Sequence, residues 1–122
     1  MLDFVESERL TQIDLPPAQL PALLARGVVN VYGPTETTVC ASAQVIDPET
    51  HEDAASLGWP LAGVCFHVLN GELYISGHGV GLGYLDGERD AFVDLPNCGP
   101  RAYRTGDLVE SLPDGGYRFL GR

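Results

Sequence analysis

Asn70-Gly71 lies between two short runs of alternating apolar and polar side chains, 64–69 and 72–76. Both residues of this dipeptide accept positive φ, so it predicts a two-residue β-hairpin. A second such punctuation, Pro113-Asp114-Gly115-Gly116, separates strand-like runs at 108–112 and 117–120. With 15 glycines and 9 prolines in 122 residues, a regular helical bundle is excluded. The expected architecture is α/β to mainly β, with a short helix leading into a mostly antiparallel sheet.

The helix is expected after Pro16-Pro17, where Leu20, Leu23 and Leu24 recur at helical spacing and Arg26-Gly27 supplies a C-cap. It feeds a β-branched strand at 28–32, which Gly33-Pro34 ends because proline has no N–H for a ladder. A second strand is predicted over 39–46. The acidic stretch 47–53 after it reads as a solvated turn in preference to a metal loop. Gly77, Gly79, Gly81 and Gly83 alternate, but Leu82 and Tyr84 fall where a dinucleotide fingerprint needs glycine. Period-two glycine fits a strand approached closely by another backbone, or a bend in a barrel.

Charge narrows the function classes. The net charge is −10, and all seven cations are arginines. With no lysine, no Schiff base, P-loop ammonium or lysine phosphate clamp can come from these residues. The arginines are scattered through an acidic chain, which argues against nucleic-acid binding. Apolar runs are only a few residues long and nothing resembles an export signal, so a cytoplasmic protein with no membrane partner is expected. Cys40, Cys65 and Cys98 form no Cys-x-x-Cys pair and are read as buried free thiols. Cys65 and His67 share a strand face, but two metal ligands lack the other two.

Two segments carry candidate chemistry. In 32–38, Tyr32 offers a face for a planar ring, Thr35 a donor for phosphate oxygens and Glu36 a hard oxygen for Mg²⁺. The same residues also suit a Gly-Pro turn with a local Thr/Glu cap. Asp107, after Thr105-Gly106, can accept two hydrogen bonds from a cis-diol or can cap a turn.

Asn30-Val-Tyr-Gly-Pro-Thr-Glu36 resembles the adenine-and-magnesium motif of adenylate-forming enzymes, in the form found in nonribosomal peptide synthetase adenylation domains. The run from Gly71 to Val80 with Gly83-Tyr84 resembles the family's following glycine-rich strand motif. Tyr103-Arg-Thr-Gly-Asp-Leu108 resembles its ribose motif, and Leu120-Gly-Arg122 the approach to its interdomain hinge. The resemblance implies an antiparallel, β-barrel-like subdomain that binds ATP/AMP and Mg²⁺. It would activate an amino acid or other carboxylic acid as its adenylate, releasing pyrophosphate, and load it onto a carrier protein's phosphopantetheine thiol.

Carried over by residue, the resemblance places Asn30, Tyr32, Gly33, Thr35, Asp107, Phe119 and Arg122 at the nucleotide. Tyr32 would stack on adenine, Thr35 would contact the α-phosphate, Glu36 would ligate Mg²⁺ and Asp107 would hold the ribose. Thr35 and Glu36 are thereby the catalytic candidates. Val31, Val39 and Cys40 match positions lining the pocket for the substrate side chain, where plain core packing is the alternative. Residues 1–27 match poorly, and 28–122 cover a partial adenylation domain. The family's phosphate loop, amino-group aspartate and lysine-bearing lid are not among these residues. The turn at Asn70 lacks a proline-containing insertion, and Leu82 stands where arginine is common. The isolated chain is accordingly expected to be inactive. A non-catalytic relic or scaffold module, or part of an acyl-CoA or aryl-acid ligase, is the alternative.

Overall fold

The computed structural model describes residues 29–45, 55–96 and 101–122. The expected helix at 16–27, the acidic stretch 47–53 and Cys98 lie outside the described residues.

Eight strands form one antiparallel sheet: β1 Val29–Tyr32, β2 Ser42–Val45, β3 Ser56–Pro60, β4 Val64–Leu69, β5 Glu72–Gly77, β6 Phe92–Val93, β7 Ala102–Ser111 and β8 Tyr117–Gly121. Their order is β1-β2-β3-β8-β7-β5-β4, with the short β6 paired to β7. The sheet is open, ending on β1 and β4, so the barrel-like expectation is met in its antiparallel topology and not by closure.

Both predicted hairpins are present. Leu69 pairs with Glu72 around a turn in which Asn70 has φ 53° and Gly71 φ 83°, as a two-residue loop requires. Ser111 pairs with Tyr117, and Asp114 closes the second turn by accepting the Gly116 N–H at 2.9 Å. The core is Ala41, Leu57, Phe66, Leu73, Ile75 and Val109, with Tyr32, Val64, Val68, Tyr117 and Phe119 packed against it. It gathers inward-facing positions from strands distant in sequence, the long-range burial that stabilises an antiparallel sheet.

Three expectations need correction. The strand predicted over 39–46 begins at Ser42, because Thr38 and Val39 take φ 67° and 63° while the chain turns. Cys40 and Cys65 are exposed thiols, not buried ones, lying on a loop and on the edge strand β4. The alternating glycines do not make a strand beyond Gly77. The close approach holds, however: a Cβ on Gly79 would sit 3.0 Å from the Thr37 carbonyl oxygen.

Candidate functional site

β1 delivers Tyr32 to the end of the sheet, where the chain must turn back at once. Gly33 permits this, since a Cβ there would lie 2.6 Å from the Val39 carbonyl oxygen and 2.7 Å from the Ala41 nitrogen. Pro34 then precedes a single 3-10 turn, Thr35–Thr37, and Thr37 Oγ1 donates to the Pro34 carbonyl at 3.0 Å. The Ala41 N–H returns to the Tyr32 carbonyl at 2.8 Å. Gly33 thus closes the loop that presents Thr35 and Glu36. Neither Glu36 nor a threonine side chain caps this turn; Thr37 only returns its hydroxyl to the Pro34 carbonyl.

Asp107 is positioned by a bulge in β7. Glu72 of β5 pairs with Leu108 and Tyr74 with Arg104, so β7 carries extra residues at 105–107. Bulges of this kind re-aim side chains. Gly106 takes φ 75°, Thr105 Oγ1 donates to the Leu73 carbonyl at 2.8 Å, and the Asp107 N–H donates to Thr105 Oγ1 at 3.0 Å. Thr105, not Asp107, caps this turn. Glu72 secures the bulge from the neighbouring strand. It accepts the Gly106 N–H at 3.1 Å and holds Arg104 in a two-point pair at 2.8 and 2.9 Å. Arg104 keeps the Glu72 carboxyl below its ordinary range.

The freed Asp107 carboxylate meets Tyr32, whose phenol donates to Oδ2 at 2.5 Å. It also meets Arg122 at the end of β8, whose Nε donates to Oδ1 at 2.9 Å. Asp107 is buried whereas the Arg122 side chain is 73% exposed. Burial, reinforced by the hydrogen bond to Asp107, raises the Tyr32 phenol well above its ordinary range. Each oxygen of Asp107 keeps acceptor capacity, since a carboxylate offers about four lone-pair sites. The site is therefore a buried anion flanked by an aromatic ring and an exposed guanidinium.

Glu36 stands on the turn that follows Tyr32. Its carboxylate accepts the Tyr84 phenol at 2.5 Å, and this bond, aided by Arg122 among other groups, holds its carboxyl below the usual range. A single carboxylate fits a metal that arrives with phosphates, because Mg²⁺ is commonly held by one or two carboxylates plus phosphate oxygens and water. Among the described residues no three His, Cys, Asp or Glu side chains cluster as a resident metal site. Cys65 and His67 form no such group either. His67 Nε2 lies 2.8 Å from Ser76 Oγ, and burial lowers its pKa.

The remaining candidates separate. Asn30 is buried and donates to the Ser56 carbonyl at 2.6 Å, anchoring β1 to the start of β3. Phe119 packs against the same core as Tyr32. Thr35 is exposed next to Glu36. Val31 and Val39 are 46% and 54% exposed and Cys40 is exposed too, so core packing does not account for them. Sequence reasoning passed over Glu72, Arg104 and the phenols of Tyr84 and Tyr103, whose partners lie far away along the chain.

A broad open depression of about 830 Å³ borders Tyr84 and is lined also by Asp86, Glu88, Asp90 and Arg104. Three carboxylates against one guanidinium there disfavour a polyphosphate. No helix among the described residues is long and apolar enough to cross a membrane.

The profile of the family described as AMP-binding enzyme matches residues 14–85. The chain is 41% identical over 127 aligned positions to a linear gramicidin synthase protein of Brevibacillus parabrevis, covering 89% of this chain and 2% of that protein. It is 40% identical to novobiocin biosynthesis protein H of Streptomyces niveus, covering 87% of this chain and 20% of that one. A solved NRPS protein containing adenylation and PCP domains superposes with a TM-score of 0.72 at 33% identity, over 88% of this chain and 26% of its own. The chain thus spans a small part of the relatives it matches. It belongs to the AMP-binding enzyme family, and what it matches there is part of a nonribosomal peptide synthetase adenylation domain.

Proposed function

We propose that these residues form the nucleotide-holding side of an ATP-dependent, carboxylate-activating site. The reaction joins a carboxylate oxygen of an amino acid to the α-phosphorus of ATP and breaks the bond between that phosphorus and the bridging oxygen of pyrophosphate. The acyl-adenylate then serves a carrier-protein thiol. The observation that carries this reading is the convergence of Tyr32 from β1 and Arg122 from the end of β8 on the buried Asp107 carboxylate of β7, with Glu36 on the turn that follows Tyr32.

In this reading the Tyr32 ring supports adenine, and Asp107 accepts from the ribose hydroxyls through lone pairs not used by Tyr32 and Arg122. Thr35 and Arg122 would contact phosphate, and Glu36 is the residue that would hold Mg²⁺. Bound there, the ion would neutralise charge on the transferring phosphoryl group. The protein residues contribute position: a diol and a ring held at fixed points leave the α-phosphate little freedom. Val31, Val39 and Cys40, all uncharged, suit an acid with an apolar or uncharged side chain. With no lysine in the sequence, these residues supply no ammonium for the phosphates.

Nucleotide titration of the chain, followed by backbone amide NMR, tests the reading. AMP should perturb residues 30–37 and 105–107, and 2′,3′-dideoxy-AMP should bind roughly tenfold more weakly, since hydrogen bonds to a charged group are worth about 1.5–3 kcal/mol. Equal binding of the two nucleotides, or perturbation centred on the acidic depression, would refute the assignment.

A further inference from the structure

We propose that Tyr84 is the positioning residue for Glu36, fixing one carboxylate oxygen so that the group keeps its remaining lone pairs for the nucleotide's divalent cation. The proposal rests on the nucleotide reading above and deepens it. A carboxylate on an exposed turn is conformationally loose and loses side-chain entropy on binding metal. Carboxylate ligands held by hydrogen bonds from a second layer of residues avoid part of that cost.

The structure contains such a layer, built from parts that otherwise have no role. Tyr84 Oη donates to Glu36 Oε1 at 2.5 Å and lies 3.4 Å from Tyr103 Oη. Phe92 packs against both tyrosines, its ring centroid 5.4 Å from Tyr84 and 5.3 Å from Tyr103. The two-residue strand β6 exists at this point, and its Phe92 pairs with Tyr103 of β7. Phe92 is thereby tied to the long central strand and gives the Tyr84 ring a fixed edge to pack on.

The alternating glycines bring Tyr84 to this place. Between Gly77 and Tyr84 the chain runs against the turn that carries Glu36. The Gly81 N–H donates to the Glu36 carbonyl at 2.8 Å, and Thr38 Oγ1 donates to the Gly79 carbonyl at 2.7 Å. A Cβ on Gly79 would press on the Thr37 carbonyl, which would have to give by a few tenths of an ångström, and Gly83 takes φ 129° immediately before Tyr84. Arg101 Nη1 reaches the Gly81 carbonyl at 3.3 Å. Backbone of one segment thus holds backbone of the other, and the phenol–carboxylate bond is the side-chain outcome.

Tyr84→Phe removes one exposed oxygen and keeps the ring, so it tests the bond without disturbing the packing. The probe is Mn²⁺ with ATP, read by electron paramagnetic resonance of free Mn²⁺ and by relaxation of the Glu36 amide signal. AMP without metal is titrated in parallel. Tyr84→Phe is expected to weaken Mn²⁺ binding in the presence of ATP by roughly tenfold, the lower end of the range for residues that orient metal ligands. Metal-free AMP affinity should stay within about twofold, because RT ln 2 is below the worth of one hydrogen bond. Unchanged Mn²⁺ binding in the variant, with normal binding by the wild type, overturns the positioning role. An equal loss for metal-free AMP overturns it as well, since that is the mark of general structural damage. If wild-type protein with ATP shows no Mn²⁺ effect at Glu36, the nucleotide reading itself fails and this inference falls with it.

Discussion

Replacing Tyr32 by Phe should change how stability responds to alkali, and the absence of lysine makes that response readable. In the folded chain burial and the 2.5 Å bond to Asp107 keep the Tyr32 phenol protonated far above its ordinary range. Tyr103 is raised likewise, first by burial and then by Tyr84 and Glu36. In the unfolded chain both ionise near pH 10. A group whose folded pKa lies above its unfolded value contributes stability in full below the unfolded pKa and loses it as pH rises. Each such tyrosine should therefore cost about 1.4 kcal/mol between about pH 8 and pH 11. Lysines, which would titrate in the same window, are missing from the sequence. At neutral pH, Tyr32→Phe gives up a hydrogen bond to a charged group and should destabilise by about 1.5–3 kcal/mol. Toward about pH 11 the wild-type and variant curves should converge by about 1.4 kcal/mol, because only the wild type still loses the Tyr32 contribution. Urea unfolding followed through the lone tryptophan, Trp59, measures both curves. Curves that stay parallel from neutral to alkaline pH would show that the Tyr32 phenol is not held protonated by Asp107.

Gly58 and Gly71 share positive φ but differ in their surroundings, so alanine at each separates backbone strain from collision. Gly71→Ala, with open space around it, should cost only the left-handed penalty of about 1–2 kcal/mol. Gly58→Ala should cost about 1–3 kcal/mol more, because its Cβ would stand 2.3 Å from the Ala43 carbonyl oxygen and force β2 from β3. Equal urea midpoints for the two variants would contradict this. Glu72→Gln should flatten the acid limb of stability. Arg104 holds the Glu72 carboxyl below its ordinary range, so that contribution is present above the unfolded pKa near 4.3 and is lost as pH falls through the lower folded value. With Arg104 55% exposed the pair is worth at most about 1 kcal/mol. An acid limb in Glu72→Gln that matches the wild type would remove Arg104 as the cause.

The hairpins were legible because their cause is local. Asn70-Gly71 and Asp114-Gly115 specify turns whatever lies elsewhere in the chain. The start of β2 was not, because Thr38 and Val39 are residues that rarely take positive φ, and the loop imposes it on them by closing around Gly33. The cysteines misled for a related reason. A small apolar residue is usually buried, but Cys65 lies on an edge strand and its face of that strand is open. The candidate site residues on motifs were legible one by one. Their support was not, since Glu72 reaches Arg104 and Gly106 only through the β5–β7 register.

That register also explains how the two halves of the site are joined. Tyr32 and Glu36 are four residues apart on one segment, and Tyr103 and Asp107 are four apart on β7. Tyr32 bonds Asp107 directly, while Glu36 is linked to Tyr103 through Tyr84, so the segments run against each other and touch at both ends. Two anchors fix both the position and the direction of a short loop, where one would leave it free to pivot. The β7 bulge between those anchors turns Asp107 toward Tyr32 while Tyr103 keeps its pairings with Ile75 and Phe92. A ligand spanning Asp107 and Glu36 would therefore meet two groups whose separation is held by those two anchors, the preorganisation that a two-point grip requires.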